Sequence, residues 1–142
     1  MIKGVSIGGV HCLRDLGLML TDAVIGTPET RPLTIEVPGR DGVLDCTEGM
    51  YGRMIYGNRT ITFQMQTTKW LSKEKRDALI SKMINVWHGK KKQIVLDRDP
   101  EYYFYGRINV GTFTFDKIWT VEITCDCEPY KYLVSDPTQK TL

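Results

Sequence analysis

The chain has 142 residues, of which 42% are apolar and 25% are charged, and its net charge is +2. A chain of this length buries roughly two thirds of its unfolded surface around one core, so it needs neither disulfides nor a metal to fold. The balance of 19 basic and 17 acidic residues excludes a global field strong enough to indicate nucleic-acid or membrane binding.

The first residues, MIKGVSIGGVH, lack the charged lead and the apolar segment of a signal peptide. No later apolar run approaches the length of a membrane span. We therefore expect a soluble chain that is not exported. Under cellular redox conditions the four cysteines, Cys12, Cys46, Cys125 and Cys127, then remain thiols that are mostly packed in the interior.

Alternation of apolar and polar residues predicts β-strands over most of the chain. In chain order the predicted strands cover residues 2–7, 18–23, 33–37, 60–66, 93–97, 102–110 and 119–127. Residues 33–37, 60–66 and 119–127 alternate most clearly. Residues 50–56 form a further strand region, so the fold class is mainly β.

Glycine, proline and asparagine predict the turns between these strands. Pro38-Gly39 suits the centre of a type II turn, and Asp41-Gly42 suits a tight turn directly after it. Gly57-Asn58 favours a two-residue type II′ hairpin between the strand regions on either side. Residues 97–100 form another turn before the aromatic strand.

One segment, residues 72–88, has a helical period instead. Ser72 is the predicted N-cap, and Gly89 suits the left-handed position just past the end of the helix. Apolar residues recur at spacings of three and four, which indicates an amphipathic helix with one apolar side. That side carries Leu79, Ile80, Met83, Ile84 and Trp87.

Catalytic and metal sites are not indicated by the residues. His11 and His88, the two histidines, lie in no recognisable catalytic signature, and Asp97, Asp99 and Glu101 surround a turn, where solvated carboxylates are common. Cys125 and Cys127 share the apolar side of one predicted strand, which favours core thiols over structural zinc. We therefore predict no enzymatic activity, no cofactor and no metal.

Nucleic-acid binding has more support, because three lysines precede an aromatic strand. Lys90 to Lys92 adjoin residues 102–105, and positive charge beside aromatic rings is typical of single-strand binding. Yet Phe104, Ile108 and Val110 alternate with Tyr103, Tyr105 and Arg107, as in a strand with one core face and one interface face. A single-stranded nucleic-acid-binding β-barrel therefore stays open as the alternative function.

The turn-rich stretch at residues 37–66 is predicted to be a protruding β segment suited to protein contacts. Phosphate-binding glycine loops lead directly into a helix, whereas this segment leads into a predicted strand region. Exposed arginine, aspartate and tyrosine side chains are common in protein interfaces. The candidate interface residues are Arg40, Asp41, Tyr51, Arg53, Tyr56 and Arg59.

Several pieces of the sequence, in order, resemble the distal tail proteins of long, flexible-tailed bacteriophages and related prophages. The pieces are DLGLMLTD, IEVPGRDGVLDCTE, YGNRTITFQM, HGKKKQIVLDRDPEYYFYGRINV and EITCDCEPYKY, and they span nearly the whole chain. PGRDG and NRTITF are the more specific of these motifs.

The resemblance implies a structural virion component of the phage tail. Its N-terminal domain would be a β-sandwich or split-barrel-like fold with one helix and an extended hairpin arm. Copies would form a hexameric ring, a baseplate hub that joins the tail tube to the tail tip or adhesion device, with DNA passing through the lumen. The implied partners are further copies of the chain, the tail tube protein, a tail-tip or tail-associated lysin protein, and receptor-binding proteins, without a membrane or a specific nucleic acid. The location is the virion tail, assembled in the cytoplasm of the bacterial host.

The ring-forming domain is predicted to cover residues 1–132. After Pro129 the sequence becomes polar and loses its period, so residues 133–142 are expected to form a loose, polar C-terminal tail. Many relatives in the resembled family carry a second, C-terminal domain implicated in attaching adhesion modules. This sequence stops soon after Tyr132, so we expect either a short member of the family or a shortened chain, and contact with receptor-binding proteins rests on the resemblance alone.

Overall fold

The structure, a computed structural model, describes residues 4–114 and 118–142. Two helices are present in this part of the chain, α1 (Thr47–Tyr51) and α2 (Lys73–Trp87). The strands are β1 (Val5–Ile7), β2 (Val10–His11), β3 (Leu18–Ile25), β4 (Thr30–Arg31), β5 (Thr34–Ile35), β6 (Leu44–Asp45), β7 (Ile55–Tyr56), β8 (Arg59–Thr67), β9 (Lys91–Leu96), β10 (Asp99–Thr114), β11 (Thr120–Cys127), β12 (Lys131–Leu133) and β13 (Lys140–Thr141).

The main sheet contains nine of the described strands, and every pair in it is antiparallel. Seven strands follow the order β2-β1-β9-β10-β11-β8-β3, and β12 pairs with the first part of β10 and carries β13 on its other side. The predicted mainly β fold is confirmed. The sheet does not close into a barrel, because β2 and β3 remain at the two ends of this order.

The core lies on one face of this sheet, as the two-residue period requires. In β8 and β11, Phe63 faces Ile123 and Ile61 faces Cys125 across the ladder, and all four side chains are fully buried. Helix α2 packs Met83 and Trp87 into the same core. The indole Nε1 of Trp87 donates a hydrogen bond to the carbonyl of Ile7 at 3.0 Å, so its one polar atom is satisfied.

Both ends of α2 agree with the sequence. The hydroxyl of Ser72 accepts a hydrogen bond from the N–H of Lys75 at 3.4 Å, and Gly89 has a φ of 74°. Lys90 donates to the carbonyl of Asn85 in the last turn, where a cation is favourable. One residue was assigned wrongly, since Ile84 of the predicted apolar side is 41% exposed.

Gly106 allows β10 and β11 to approach each other closely. A Cβ atom at this position would touch the carbonyl oxygen of Asp126 and would lie 2.6 Å from the Cα of Cys127. No other residue fits there without moving the strands apart. Gly106 also stands between Phe104 and Ile108, two core residues of β10.

An extended hairpin arm, residues 26–58, continues the ladder between β3 and β8 beyond the sheet. Ile25 pairs with Ile61, and the same register carries on to Thr30 with Tyr56 and Arg31 with Ile55. Farther out, β5 pairs with β6, and the chain turns back at residues 36–43. A hairpin arm is confirmed, with its tip at Pro38-Gly39, but its predicted bounds are wrong. The predicted stretch was residues 37–66, whereas Arg59–Thr67 form β8 of the main sheet and the arm begins before β4.

Two local predictions for this region are wrong. Gly57 and Asn58 form no hairpin, and Gly57 lacks the positive φ of a type II′ turn. The N–H of Gly57 instead donates to the carbonyl of Glu29 at 2.7 Å, so β7 pairs with β4 and not with β8. Residues 50–56 are also not a strand region, because α1 occupies Thr47–Tyr51 and only Ile55–Tyr56 is extended.

The expectation of a loose tail after Tyr132 is wrong as well. Tyr102 pairs with Leu133 and Tyr103 with Tyr132, so β12 is part of the main sheet. Strand β13 then folds back on β12 and pairs Lys140 with Tyr132. The last ten residues therefore complete a C-terminal hairpin, and the domain boundary at 132 stays a prediction.

Candidate functional site

The tip of the arm is a tight turn with a defined backbone. The N–H of Arg40 donates to the carbonyl of Val37 at 3.1 Å, and Gly39 has a φ of 81°. This bond and the left-handed glycine are those of the type II turn predicted at Pro38-Gly39. Gly42 has a φ of 72°, so the chain bends again directly afterwards.

Helix α1 is fastened to the arm by Thr47, whose side chain is fully buried. The hydroxyl of Thr47 accepts a hydrogen bond from the N–H of Leu33 at 2.9 Å and donates to the carboxylate of Asp45 at 2.5 Å. The N–H of Thr47 also donates to Asp45, at 3.0 Å. The side-chain and backbone hydrogen bonds from Thr47 lower the pKa of the Asp45 carboxyl. These bonds couple both strands of the arm to the start of α1.

The helix after β6 removes one reason that the sequence offered against a phosphate loop, because α1 does follow the glycine-rich turns. A different observation argues against phosphate binding at this helix. The first turn of α1 already binds the Asp45 carboxylate, which accepts the N–H of Thr47. A five-residue helix that holds its own carboxylate offers no phosphate site.

The arm exposes several large apolar side chains to solvent. We call these six residues the apolar arm surface: Ile35, Val37, Val43, Leu44, Met50 and Tyr51. The strongest case is Met50, which is 70% exposed. Large apolar side chains that remain exposed close together are typical of protein contact sites, and Ile35 and Leu44 are direct neighbours across β5 and β6. Its members come from β5, the tip, β6 and α1, and only β5 and β6 pair with each other there.

The predicted interface residues occupy three different environments. Arg40 and Asp41 are exposed at the tip, and Tyr51 is exposed on α1. Arg53 and Tyr56 lie at the base of the arm beside Tyr130: Arg53 Nη1 is 3.3 Å from the Tyr130 hydroxyl, and the Tyr56 and Tyr130 rings meet edge to face at 6.3 Å.

Arg59 belongs to the interior of the chain. It is only 6% exposed, and its Nε and Nη2 donate to the carbonyl of Pro129 at 3.1 and 2.7 Å. Its guanidinium also lies 5.3 Å from the centroid of the Phe104 ring. Burial lowers the pKa of this guanidinium. Arg59 therefore secures the C-terminal segment to β8, and we leave it out of the candidate interface.

His11 is held in a structural network. Its Nδ1 accepts hydrogen bonds from the N–H groups of Leu13 and Arg14, each at 3.2 Å, and its Nε2 lies 2.7 Å from the Asp97 carboxylate. Nδ1 is thus an acceptor and Nε2 carries the proton toward Asp97. Both ring nitrogens are engaged within the chain, so neither is available as a general base in this arrangement.

His88, Asp97 and Asp99 also have structural partners, whereas Glu101 is exposed. Nδ1 of His88 accepts the N–H of Val110 at 3.1 Å, and Asp99 binds Lys131 at 3.0 Å. Since Asp97 binds His11, the two carboxylates have separate structural partners. None of these contacts forms the nucleophile and base of covalent catalysis.

The cysteines lie where the strand period predicts. Cys125 and Cys127 are fully buried on the core face of β11, Cys12 is buried, and Cys46 is half-buried in the arm. Burial raises the pKa of Cys125 and raises that of Cys127 to about 12, which keeps both as neutral thiols. No group of three or more possible metal ligands occurs in residues 4–114 and 118–142.

The aromatic strand β10 has the two faces that the sequence predicts. Phe104 and Ile108 are buried, whereas Tyr103 and Tyr105 are half-buried on the other side and Arg107 is exposed. Lys91 lies over the Tyr105 ring and also binds Glu128, and Arg107 donates to the carbonyl of Gly89.

Of the described helices, none is long and apolar enough to cross a membrane.

The geometry defines a mainly β domain with one packed helix and a projecting, apolar-surfaced arm. No protein-family model matches the chain, and no curated protein matches it. Among solved structures, it is similar to SPP1 Dit, described as a paradigm of the hub adsorption apparatus in phages that infect Gram-positive bacteria. The TM-score is 0.73 at 14% sequence identity over 92% of this chain. The match covers 51% of the SPP1 protein, so this chain spans about half its length.

Proposed function

We propose that the chain is a structural subunit of a phage or prophage tail that assembles with copies of itself into a hub ring. The fold similarity to a phage hub protein supports the tail role, because it extends over 92% of the chain. The observation that carries the assembly is the apolar arm surface, which a single copy leaves in water. Burial of such a surface against a neighbour is favourable by about 25 cal/mol for each Å² of apolar area.

The arm is suited to a head-to-tail contact between copies. It projects from the end of β3 and β8 that carries Ile25 and Ile61, so its tip reaches beyond the surface of its own sheet. A contact between two different surfaces of the same protein closes into a ring when the rotation between copies allows it. Hexameric closure, as the resemblance implies, is part of the proposal.

The interface we propose combines the apolar arm surface with polar residues around it. Arg40 and Asp41 at the tip and Tyr51 on α1 contact the neighbouring copy, and Arg53 and Tyr56 form the base of the contact. The further partners are the tail tube protein on one side of the ring and a tail-tip or lysin protein, with receptor-binding proteins, on the other. The assembled ring belongs to the virion tail and forms in the cytoplasm of the bacterial host.

Paired substitutions test this interface. Val43 on the arm and Val134 on the C-terminal hairpin are 49% and 50% exposed, so they are matched in residue type and exposure. We expect wild-type protein to give a molar mass of six times 16.3 kDa by light scattering, and ring-shaped particles by negative-stain electron microscopy. V43D should shift the protein to the monomer, whereas V134D should assemble as wild type.

At dilutions where all three proteins are monomeric, the thermal midpoints of both variants should match wild type, since both valines are exposed in the single copy. Rings that persist in V43D, or that are lost equally in V134D, would contradict the arm interface. A wild-type protein that stays monomeric at every concentration, alone and with its tail tube protein, would contradict ring formation itself.

A further inference from the structure

A polar cleft lies on the face of the sheet opposite the core, beside the C-terminal hairpin. We call it the tyrosine cleft; it has a volume of about 240 Å³ and is lined by Gln93, Tyr103, Tyr105, Glu128 and Tyr132. Tyr105 pairs with Gln93 across β9 and β10, and Tyr103 pairs with Tyr132 across β10 and β12. Because backbone pairing positions four of the five residues, the cleft is formed before any ligand binds.

The carboxylate of Glu128 is held at both oxygens. The hydroxyl of Tyr132 donates to Oε2 at 2.7 Å, and Lys91 Nζ lies 3.4 Å from Oε1. Lys91 also lies 4.8 Å from the centroid of the Tyr105 ring. The hydrogen bond to Glu128 raises the pKa of Tyr132 to about 12, so this phenol remains a donor at neutral pH. One negative and one positive charge therefore balance at the cleft.

Several other polar side chains of the cleft form no hydrogen bonds with the described part of the chain. Within residues 4–114 and 118–142, the hydroxyls of Tyr103 and Tyr105 and the side-chain amide of Gln93 have no hydrogen-bond partner. The rings of Tyr103 and Tyr132 lie 5.5 Å apart with an interplanar angle of 32°. The cleft thus offers aromatic surface together with free donors and acceptors.

This chemistry disfavours charged ligands. An anion such as phosphate would approach the Glu128 carboxylate, and Lys91 is already paired with that carboxylate. A cation would be repelled by the charge of Lys91 beside the Tyr105 ring, and the Tyr103 and Tyr132 rings are too close together to admit an ammonium group between them. A neutral ligand with an apolar face and several hydroxyl groups can pack that face on the tyrosine rings. Its hydroxyls can form hydrogen bonds with the polar side chains of the cleft.

We propose that the tyrosine cleft binds a neutral pyranose sugar. The apolar face of the sugar ring packs on tyrosine, and its hydroxyls bind Glu128, Gln93 and the free phenols. A volume of about 240 Å³ equals roughly eight water molecules, which accommodates one sugar ring. The proposal goes beyond assembly and does not depend on it, because the apolar arm surface contributes no residue to the cleft.

The test is a titration of ¹⁵N-labelled protein with the methyl glycosides of glucose, galactose and N-acetylglucosamine, followed by NMR. We expect saturable shifts for at least one sugar, with a Kd of about 1 to 10 mM, centred on the amides of residues 93, 103, 105, 128 and 132. Glucuronic acid and glucosamine should bind at least about tenfold more weakly, because each adds one unbalanced charge.

Two variants and a control complete the experiment. Q93A removes an exposed group that the fold does not use, and Y105A removes an aromatic wall; each should weaken binding about fivefold or more. Y102A is the control, since Tyr102 alternates with Tyr103 and lies under Lys131 on the other face. Three results would overturn the proposal: no saturable shift with any neutral sugar, shifts centred elsewhere, or unchanged binding by Q93A and Y105A. Preferential, salt-sensitive binding of oligothymidine at these amides would assign the cleft to single-stranded nucleic acid instead.

Discussion

The sheet and the arm use the same antiparallel pairing, but the sheet has a buried core face whereas the apolar arm surface is exposed. Strands β8 and β11 place Phe63, Ile61, Ile123 and Cys125 in the core, with none of these side chains accessible to water. In the arm, Ile35 pairs with Leu44 and both remain exposed. Two strands alone are at best marginally stable in water. The proposed contact with a neighbouring copy would cover the apolar residues that the arm leaves exposed.

The largest expected effect separates the core from the exposed surface. W87A removes a fully buried indole and its hydrogen bond to Ile7, and we expect the free energy of unfolding to fall by about 3 to 5 kcal/mol. Urea denaturation measures this change. W70A is the matched control, because Trp70 is 75% exposed, and it should change stability by less than about 0.5 kcal/mol. Equal losses in the two variants would refute the placement of the core.

A smaller effect distinguishes the buried start of β8 from the exposed tip of the arm. R59A leaves the carbonyl of Pro129 without its two donors and removes the contact with Phe104, which should cost about 2 to 3 kcal/mol. R40A removes an exposed side chain at the tip and should change the free energy of unfolding by less than about 0.5 kcal/mol. Denaturation of both variants, kept as monomers at low concentration, decides the matter. An equal loss of stability in R40A and R59A would contradict the description of Arg59 as buried and bonded and of Arg40 as exposed.

The smallest expected effect concerns pH and the attachment of α1. The hydrogen bonds from Thr47 lower the pKa of Asp45 in the folded protein below its value in the unfolded chain. Their contribution to stability is therefore complete above the unfolded-state pKa, and it is lost as the pH falls through the folded-state pKa. NMR titration of the Asp45 carboxyl should show the low pKa in wild type and a higher one in T47V, which keeps only the backbone bond. An identical Asp45 pKa in both proteins would mean that the Thr47 hydroxyl does not bind this carboxylate.

Elements with a long and consistent period were predicted well from the sequence. The alternation at residues 119–127 became β11, and the spacing and N-cap at Ser72 became α2, because burial on one face selects the same register that the pattern encodes. The Gly57-Asn58 hairpin failed for the opposite reason. Its signal is two residues long, whereas the β3–β8 register continues through β4 and β7 and decides the pairing.

The sequence predicted where the tip of the arm lies, but only some of the residues that form its exposed surface. The turn residues placed the tip at Pro38-Gly39, and charged residues there are exposed as expected. Ile35 and Val37 were predicted to share the apolar side of a strand, but alternation shows that one side is apolar without showing what covers it. Arg59 was taken for a surface residue, because nothing local signals that Pro129 will bind it.

Hydrogen exchange followed by NMR or mass spectrometry tests the central claim most directly, by comparing assembled and dilute, monomeric protein. The arm amides of β5, β6 and α1 should exchange fast in the monomer and become protected on assembly, while the core strands β8 and β11 stay protected in both. Arm amides that exchange equally fast in both states, with new protection confined to another surface, would contradict the account.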